Sequence, residues 1–302
     1  MRLPSLPRLS PEWAPYVFIS PFVLLFVVFS LFPLCFSLYL AFQSWEPTGG
    51  LRAMAFVGLA NFTFAIRDGW FWMSLRNTLW LAIAAGVPQH LVAIPLAAFI
   101  HTSFKRLRDG VMAVYFLPYI TSTVAIAIMF KSLFSQDYGM INAALGQLFG
   151  VPHTDWLTSA RHIKPAIAFI VFWRYVGFNM VLYLAAMQTI PGELYEAATL
   201  DGASRWRQFL HITLPGIRPM IFFGVTLSVI GGLQLFEEPF ILTGGKGGPQ
   251  QAAMTSAVYL FREAFDFNDF GGASAMSWLL FLVVALLTWI TNIAFRSRKA
   301  QA

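Results

Sequence analysis

Residues Glu193–Pro219 read ELYEAATLDGASRWRQFLHITLPGIRP. Acids, arginines and aromatics crowd into this stretch, while the chain on either side of it is oily. Pro191, just upstream, cannot continue a helical ladder and closes the preceding apolar run. Glu193–Asp201 is then rich in helix formers. Leu194, Ala197, Ala198 and Asp201 share one helical face, and its two alanines permit close approach of another surface. Gly202 breaks this helix at low steric cost. Trp206, Phe209 and Leu210 begin a second apolar face, which Leu214-Pro215 ends. The stretch therefore reads as helix, glycine turn, helix. On the residues alone, two readings stand. It is an amphipathic segment that seats the next apolar run, or a docking knuckle whose Glu196 and Asp201 offer carboxylates to a partner.

The rest of the chain supplies the context. Of 302 residues, 58% are hydrophobic and only 11% charged, against about a quarter charged in soluble domains. That deficit points to an all-α integral membrane protein rather than a soluble core. The net charge is +6. Its cations lie in short groups between apolar runs, not beside aromatics on a soluble face, which argues against a nucleic-acid partner. The single cysteine, Cys35, has no intrachain partner and reads as a small apolar residue. His90, His101, His153, His162 and His211 show no metal-ligand spacing, so no metal site is expected. Around Lys246 the order of glycines is wrong for a P-loop, since Gly247 follows the lysine. Asp201–Ser204 is not a nucleophile elbow, because Arg205 follows Ser204. No catalytic constellation or cofactor site is therefore expected in this chain. The sequon Asn61-Phe-Thr63 is too common a pattern to carry an argument.

A bilayer-spanning helix needs about 20 mostly apolar residues. Six runs qualify: Tyr16–Phe42, Phe71–Ile100, Val111–Phe134, Pro165–Ile190, Ile217–Leu242 and Ser274–Phe295. The first is too long for a signal peptide and is read as retained. Orientation follows from lysine and arginine in the connections. One side holds Arg2, Arg8, Lys105, Arg106, Arg108, Arg205, Arg207, Arg218, Arg296, Arg298 and Lys299. The other holds Arg52, Arg67, Arg161, Lys164, Lys246 and Arg262. Eleven cations in short connections face six in long ones, so the short connections are expected in the cytoplasm. The chain then divides into a cytoplasmic N-terminus (1–15), a six-helix domain (16–295) with a cytoplasmic loop (191–216), and a basic cytoplasmic tail (296–302). Gly139–Gly150 and Ser256–Phe265 carry apolar residues at helical spacing and are expected as short helices on the far side.

Polar residues inside spans are costly and often functional. Arg174 and Asn179 lie midway along the fourth span, and Gln234, Glu237 and Glu238 in the outer half of the fifth. Arg174 and one glutamate can pair across the two helices, either as a structural tie or as part of a polar lining. Trp173, Tyr183, Phe236 and Phe172 offer stacking faces for the latter. Glutamates beside a path suit a neutral solute better than an anionic one.

Glu196-Ala197-Ala198, three residues, Gly202, nine residues, then Ile212-x-Leu214-Pro215 resembles the complete "EAA" loop. That loop marks the membrane subunits of binding-protein-dependent ABC importers. Gly139-Met-Ile-Asn142, Trp156-Leu157, Trp173, Gln188-x-Ile190-Pro191, Leu242-Thr243-Gly244-Gly245, Asp269-Phe-Gly271 and Ala273-Ser274-Ala275 are similar to the sugar-type branch. Within that branch they look like the first of its two permease subunits, the maltose and glycerol-phosphate class. Gly272 and Lys246 depart from the usual pattern, both outside the loop. The resemblance implies a type I permease fold in a bacterial inner membrane and a path shared with a second homologous permease. It also implies a sugar delivered by an extracytoplasmic binding protein, and two ATPase subunits that hold the ATP and magnesium. It makes the loop a coupling helix seated in the ATPase, through Glu196, Ala197, Ala198, Asp201, Gly202, Arg205, Phe209, Leu214 and Pro215. An ion-coupled secondary transporter is the alternative. It should show paired broken helices with buried acids in corresponding halves, whereas the acids expected inside a span are Glu237 and Glu238 alone.

Overall fold

The computed structural model describes residues 10, 12–103 and 108–296. Arg2, Arg8, Lys105, Arg106, Arg298 and Lys299, six of the topology cations, lie outside the described residues, as does nearly all of the basic tail. The helices in the first third are α1 (Ala14–Phe26), α2 (Phe32–Leu40), α3 (Ala60–Arg67) and α4 (Gly69–Ser103). Then come α5 (Arg108–Ile120), α6 (Thr123–Leu133), α7 (Met140–Phe149), α8 (Ile163–Met187) and α9 (Gly192–Leu200). The last are α10 (Arg205–Gln208), α11 (Leu214–Gly216), α12 (Arg218–Leu233), α13 (Glu237–Thr243), α14 (Ser256–Phe265) and α15 (Phe270–Arg296). Among the described residues, five helical segments are long and apolar enough to cross a membrane, or six if the bent pair α5–α6 counts as one.

One expected span is sharply bent and another is interrupted. Val111–Phe134 is α5 and α6, bent by 92° at Thr121-Ser122. Pro118 weakens the last turn of α5, and Ser122 takes an extended ψ of 127° that starts a new helix. Ile217–Leu242 is likewise divided. Pro239 would clash with the carbonyl of Leu235 four residues back, and α12 ends at Leu233, three residues before α13 begins. At Leu214-Pro215 the helix runs one residue past the proline and ends at Gly216. Phe209–Thr213 widens into a π turn and the chain runs on into α11. The same device, Val27–Leu31 ahead of Pro33, joins α1 to α2. A π turn relieves the clash a proline imposes on the turn before it.

The chain forms two compact units. The first comprises residues 1–65 and 263–278. Its β1 (Gln43–Ser44) and β2 (Ala55–Phe56) pair antiparallel, Gln43 opposite Phe56. Asn61 Nδ2 donates to the carbonyls of Ala41 (3.1 Å) and Gln43 (2.8 Å), so the sequon asparagine is a structural clamp. Asp269 Oδ1 accepts from the Gly272 N–H at 2.8 Å and caps the start of α15.

The second unit comprises residues 66–262 and 279–302. One face of α4, Leu81, Ala85, Gln89, Ala93, Ala97 and Ile100, is buried at every third or fourth residue, and α8 supplies most of what it packs on. Lipid tails are as apolar as leucine, so van der Waals fit rather than water exclusion holds such helices together, and small residues permit it. Gly177 shows the limit: a Cβ there would stand in contact with the Tyr115 carbonyl of α5. The expected short helices are present as α7 and α14. Asn142 of α7 donates to the Thr154 carbonyl (2.9 Å) and accepts from Trp156 Nε1 (2.9 Å), which fixes the following loop. Asn77 of α4, buried, donates to the carbonyls of Gln251 and Met254, each at 3.0 Å. Asn77→Leu strands both carbonyls and should cost about 1–3 kcal/mol. Thermal unfolding of the purified protein checks this, and an unchanged midpoint would remove the anchor.

Candidate functional sites: an exposed loop and an intramembrane cavity

The loop is built as the residue types require. α9 ends in a Schellman motif: the Ala203 N–H donates to the Ala198 carbonyl (2.8 Å) and the Gly202 N–H to that of Thr199 (3.1 Å). Gly202 carries φ +74°, with no atom within 4 Å of a Cβ placed there. The turn therefore selects glycine by backbone angle and not by crowding. Ser204 then caps α10, its hydroxyl accepting from the Arg207 N–H. Gln208 staples the two helices, donating to Thr199 Oγ1 (3.0 Å) and the Ala203 carbonyl (3.2 Å).

Glu196, Ala197, Asp201, Arg205 and Pro215 are exposed, while Ala198, Phe209 and Leu214 are half-buried. The apolar side chains Leu194 (51% exposed), Leu200 (90%) and Trp206 (66%) are left open. Trp206 stacks on Phe209, ring centroids 5.4 Å apart. A hollow of about 670 Å³ separates the end of α4 from the loop, with Pro95 and Ala98 on one wall and Glu196, Arg205 and Trp206 on the other. A segment that merely seated the next span would turn its apolar groups inward.

Inside the second unit, α4, α8 and α12 enclose a cavity of about 230 Å³. Its polar groups are Gln89, Asn179, Ser228, Tyr119 and Tyr175. Asn179 Nδ2 donates to Gln89 Oε1 (3.3 Å) and the Tyr175 carbonyl (3.2 Å). Asn179 Oδ1 is buried with no partner among the described residues, an acceptor open to a ligand hydroxyl. Tyr119 stacks on Phe178 at 4.5 Å and meets Tyr175 edge-on at 5.7 Å, which makes an aromatic wall.

Among the residues expected along a path, Asn179 alone lines this cavity. Arg174 does pair across the helices, with Glu238 at 2.9 Å and, more loosely, Glu237 at 3.9 Å. The Glu238 side chain is 3% exposed but that of Glu237 is 60% exposed, so only one of the two acids is buried. Trp173 packs edge-on against Phe130 at 5.2 Å. Tyr183 is buried, its hydroxyl 2.7 Å from His90 Nδ1. Gln234 is exposed at the break in the fifth span, and Phe236 joins Phe240 and Phe261 in an aromatic cluster. Gln89, Tyr119, Tyr175, Phe178 and Ser228 are the lining residues that span polarity did not single out. Gln89 was open to the same argument as Asn179, being an amide inside an apolar run.

Several helices long and apolar enough to cross a membrane make this a polytopic membrane protein. Residues 91–297 match the family described as "Binding-protein-dependent transport system inner membrane component". The chain belongs to this family. It is 35% identical over 288 residues to the lactose transport system permease protein LacF of Rhizobium radiobacter, 94% of either chain. It is 32% identical over 283 residues to the arabinooligosaccharides transport system permease protein AraP of Bacillus subtilis, 93% of this chain and 88% of that one. Its fold matches a chain of a bacterial ABC transporter involved in alginate import, with TM-score 0.78 and 23% identity over 95% of this chain and 96% of that one.

Proposed function

We propose that this chain is one of two membrane subunits of an ATP-driven importer for a sugar or oligosaccharide. It lies in a bacterial inner membrane with both termini and the 191–216 loop in the cytoplasm. The observation that carries the reading is the loop: a complete EAA pattern on a capped helix-turn-helix that leaves Leu194, Leu200 and Trp206 exposed. The loop engages an ATPase subunit that holds ATP and magnesium, and this chain hydrolyses nothing. A second permease completes the path, and an extracytoplasmic binding protein delivers the substrate. The names of the lactose and arabinooligosaccharide relatives, together with an aromatic wall beside the unpartnered Asn179 Oδ1, support a neutral carbohydrate. A cavity of about 230 Å³ is smaller than the ~300–1,000 Å³ of ordinary ligand sites, in keeping with one half of a shared path. An ion-coupled transporter is not favoured, because the family is binding-protein-dependent.

The test is purification of the tagged subunit in mild detergent with its partners. An ATPase should co-purify, and vanadate should stop uptake in reconstituted vesicles. Absence of the ATPase together with vanadate-resistant uptake would sink the proposal. Gly202→Val imposes a left-handed φ on a β-branched residue, at about 1–2 kcal/mol, on the order of tenfold in the population of the coupled loop. Uptake per ATP hydrolysed should fall accordingly, while the binding protein still docks. Wild-type coupling would reject the turn as the coupling element.

A further inference from the structure

The structure assigns to the outward flank of α4 a binding site for one anionic phospholipid, its phosphate held by Arg76 and Lys164 over the Trp80 ring and its acyl chains lying along Ile83, Val87 and Leu91. This inference uses only the membrane-spanning character of the chain and not the identity of the transported solute.

The exposed flank of α4 carries a single stripe, each member three or four residues beyond the last. Trp80 is 42% exposed, Ile83 63%, Val87 52% and Leu91 69%, and Arg76 at its head is also exposed. Lys164, in the first turn of α8, leans across so that Nζ lies 5.9 Å from the centre of the Trp80 ring. Arg76 sits within electrostatic range of that ammonium. Neither cation has an acidic partner within 4.0 Å among the described residues. Two neighbouring like charges, one of them over a tryptophan ring and neither with an acidic partner within 4.0 Å among the described residues, form a half-built anion site.

Depth identifies the anion. α4 runs about 50 Å at 1.5 Å per residue, and the ~30 Å hydrocarbon core counted back from Ser103 at its far end reaches about to Ile83, so the turns before Ile83 stand in the headgroup layer. Trp80 is then at the level where membrane tryptophans concentrate. From Ile83 to Leu91 the stripe covers about 12 Å of axis, close to the ~15 Å depth of one leaflet's hydrocarbon. A phosphate at Arg76 therefore continues into chains at Ile83–Leu91. A free anion would use the cations but not the stripe, and a soluble acidic protein would not reach it.

The experiment uses the purified complex in nanodiscs containing equal phosphatidylglycerol and phosphatidylcholine, followed by native mass spectrometry of the lipid retained after delipidation. Wild type should retain phosphatidylglycerol selectively. Each cation contributes about fivefold at a membrane surface, so Arg76→Gln with Lys164→Gln should lower that retention roughly 25-fold. Arg76→Lys should keep most of it, and Arg52→Gln, another exposed cation, should change nothing. Equal retention in the double variant, or no preference for phosphatidylglycerol in wild type, overturns the site. So does efficient short-range cross-linking from Val87→Cys (in a Cys35→Ser background) to another protein subunit, since the flank would then be covered by protein.

Discussion

Gly177→Ala is expected to leave little folded protein to recover. A Cβ at this position lands on the Tyr115 carbonyl of α5, inside any tolerable contact distance. The obstacle is backbone, so no rotamer change relieves it, and α5 must move off α8. Overpacking usually costs ~1–3 kcal/mol and more where backbone has to shift, so the loss should reach the upper end of that range or beyond. α8 is the most buried of the candidate spans, and Phe178, beside Gly177, stacks on Tyr119 of α5 in the cavity wall. The damage should therefore reach the cavity as well as the yield. Size-exclusion profile and thermal midpoint in detergent measure the effect. A monodisperse Gly177→Ala protein of wild-type stability would show that α5 and α8 do not approach as described.

Arg174→Ala should produce a loss of comparable size, about 3–5 kcal/mol. Glu238 is buried and its nearest cation is Arg174 at 2.9 Å. Removing the arginine leaves a carboxylate in an apolar site, and that penalty exceeds the net value of the pair itself. Replacing both partners by apolar residues, Arg174→Met with Glu238→Leu, should then recover most of the stability. Glu237→Gln should cost under about 1 kcal/mol, because Glu237 is largely exposed and at 3.9 Å. If the double variant is as unstable as Arg174→Ala, the uncompensated charge is not the cause. Transport by the stable double variant separates the two roles open to this pair. Wild-type uptake with an unchanged sugar preference marks a tie between α8 and α13, whereas an altered preference marks a path residue.

Much of this architecture is legible in the residues because its signals are local. Apolar runs of about 20 residues are readable without any contact map, and the helix, glycine turn and helix of 193–210 follow from propensity and from the one residue that tolerates φ +74°. The breaks were harder to read. Pro118, Pro215 and Pro239 are each visible, yet the first bends a span by 92°, the second is absorbed by a π turn, and the third leaves a three-residue gap ahead of its own helix. A proline states that the ladder is disturbed, and the neighbours decide how the disturbance is relieved.

The cavity divides along the same line. Polarity inside a span singled out Arg174 and Asn179, and both do make polar contacts between helices. It could not separate a residue that lines space from one that fills it. Tyr183 and Trp173 look as suited to a sugar as Tyr175 and Tyr119, but the first two are consumed by packing. The sequence by itself determined the class of molecule, the number of its apolar runs and the residues of its exposed loop, because hydropathy, capping and backbone angle act over a few neighbours. The tertiary structure decided which side chains meet across α4, α8 and α12, because the rotation of each helix is set by shape fit against the others.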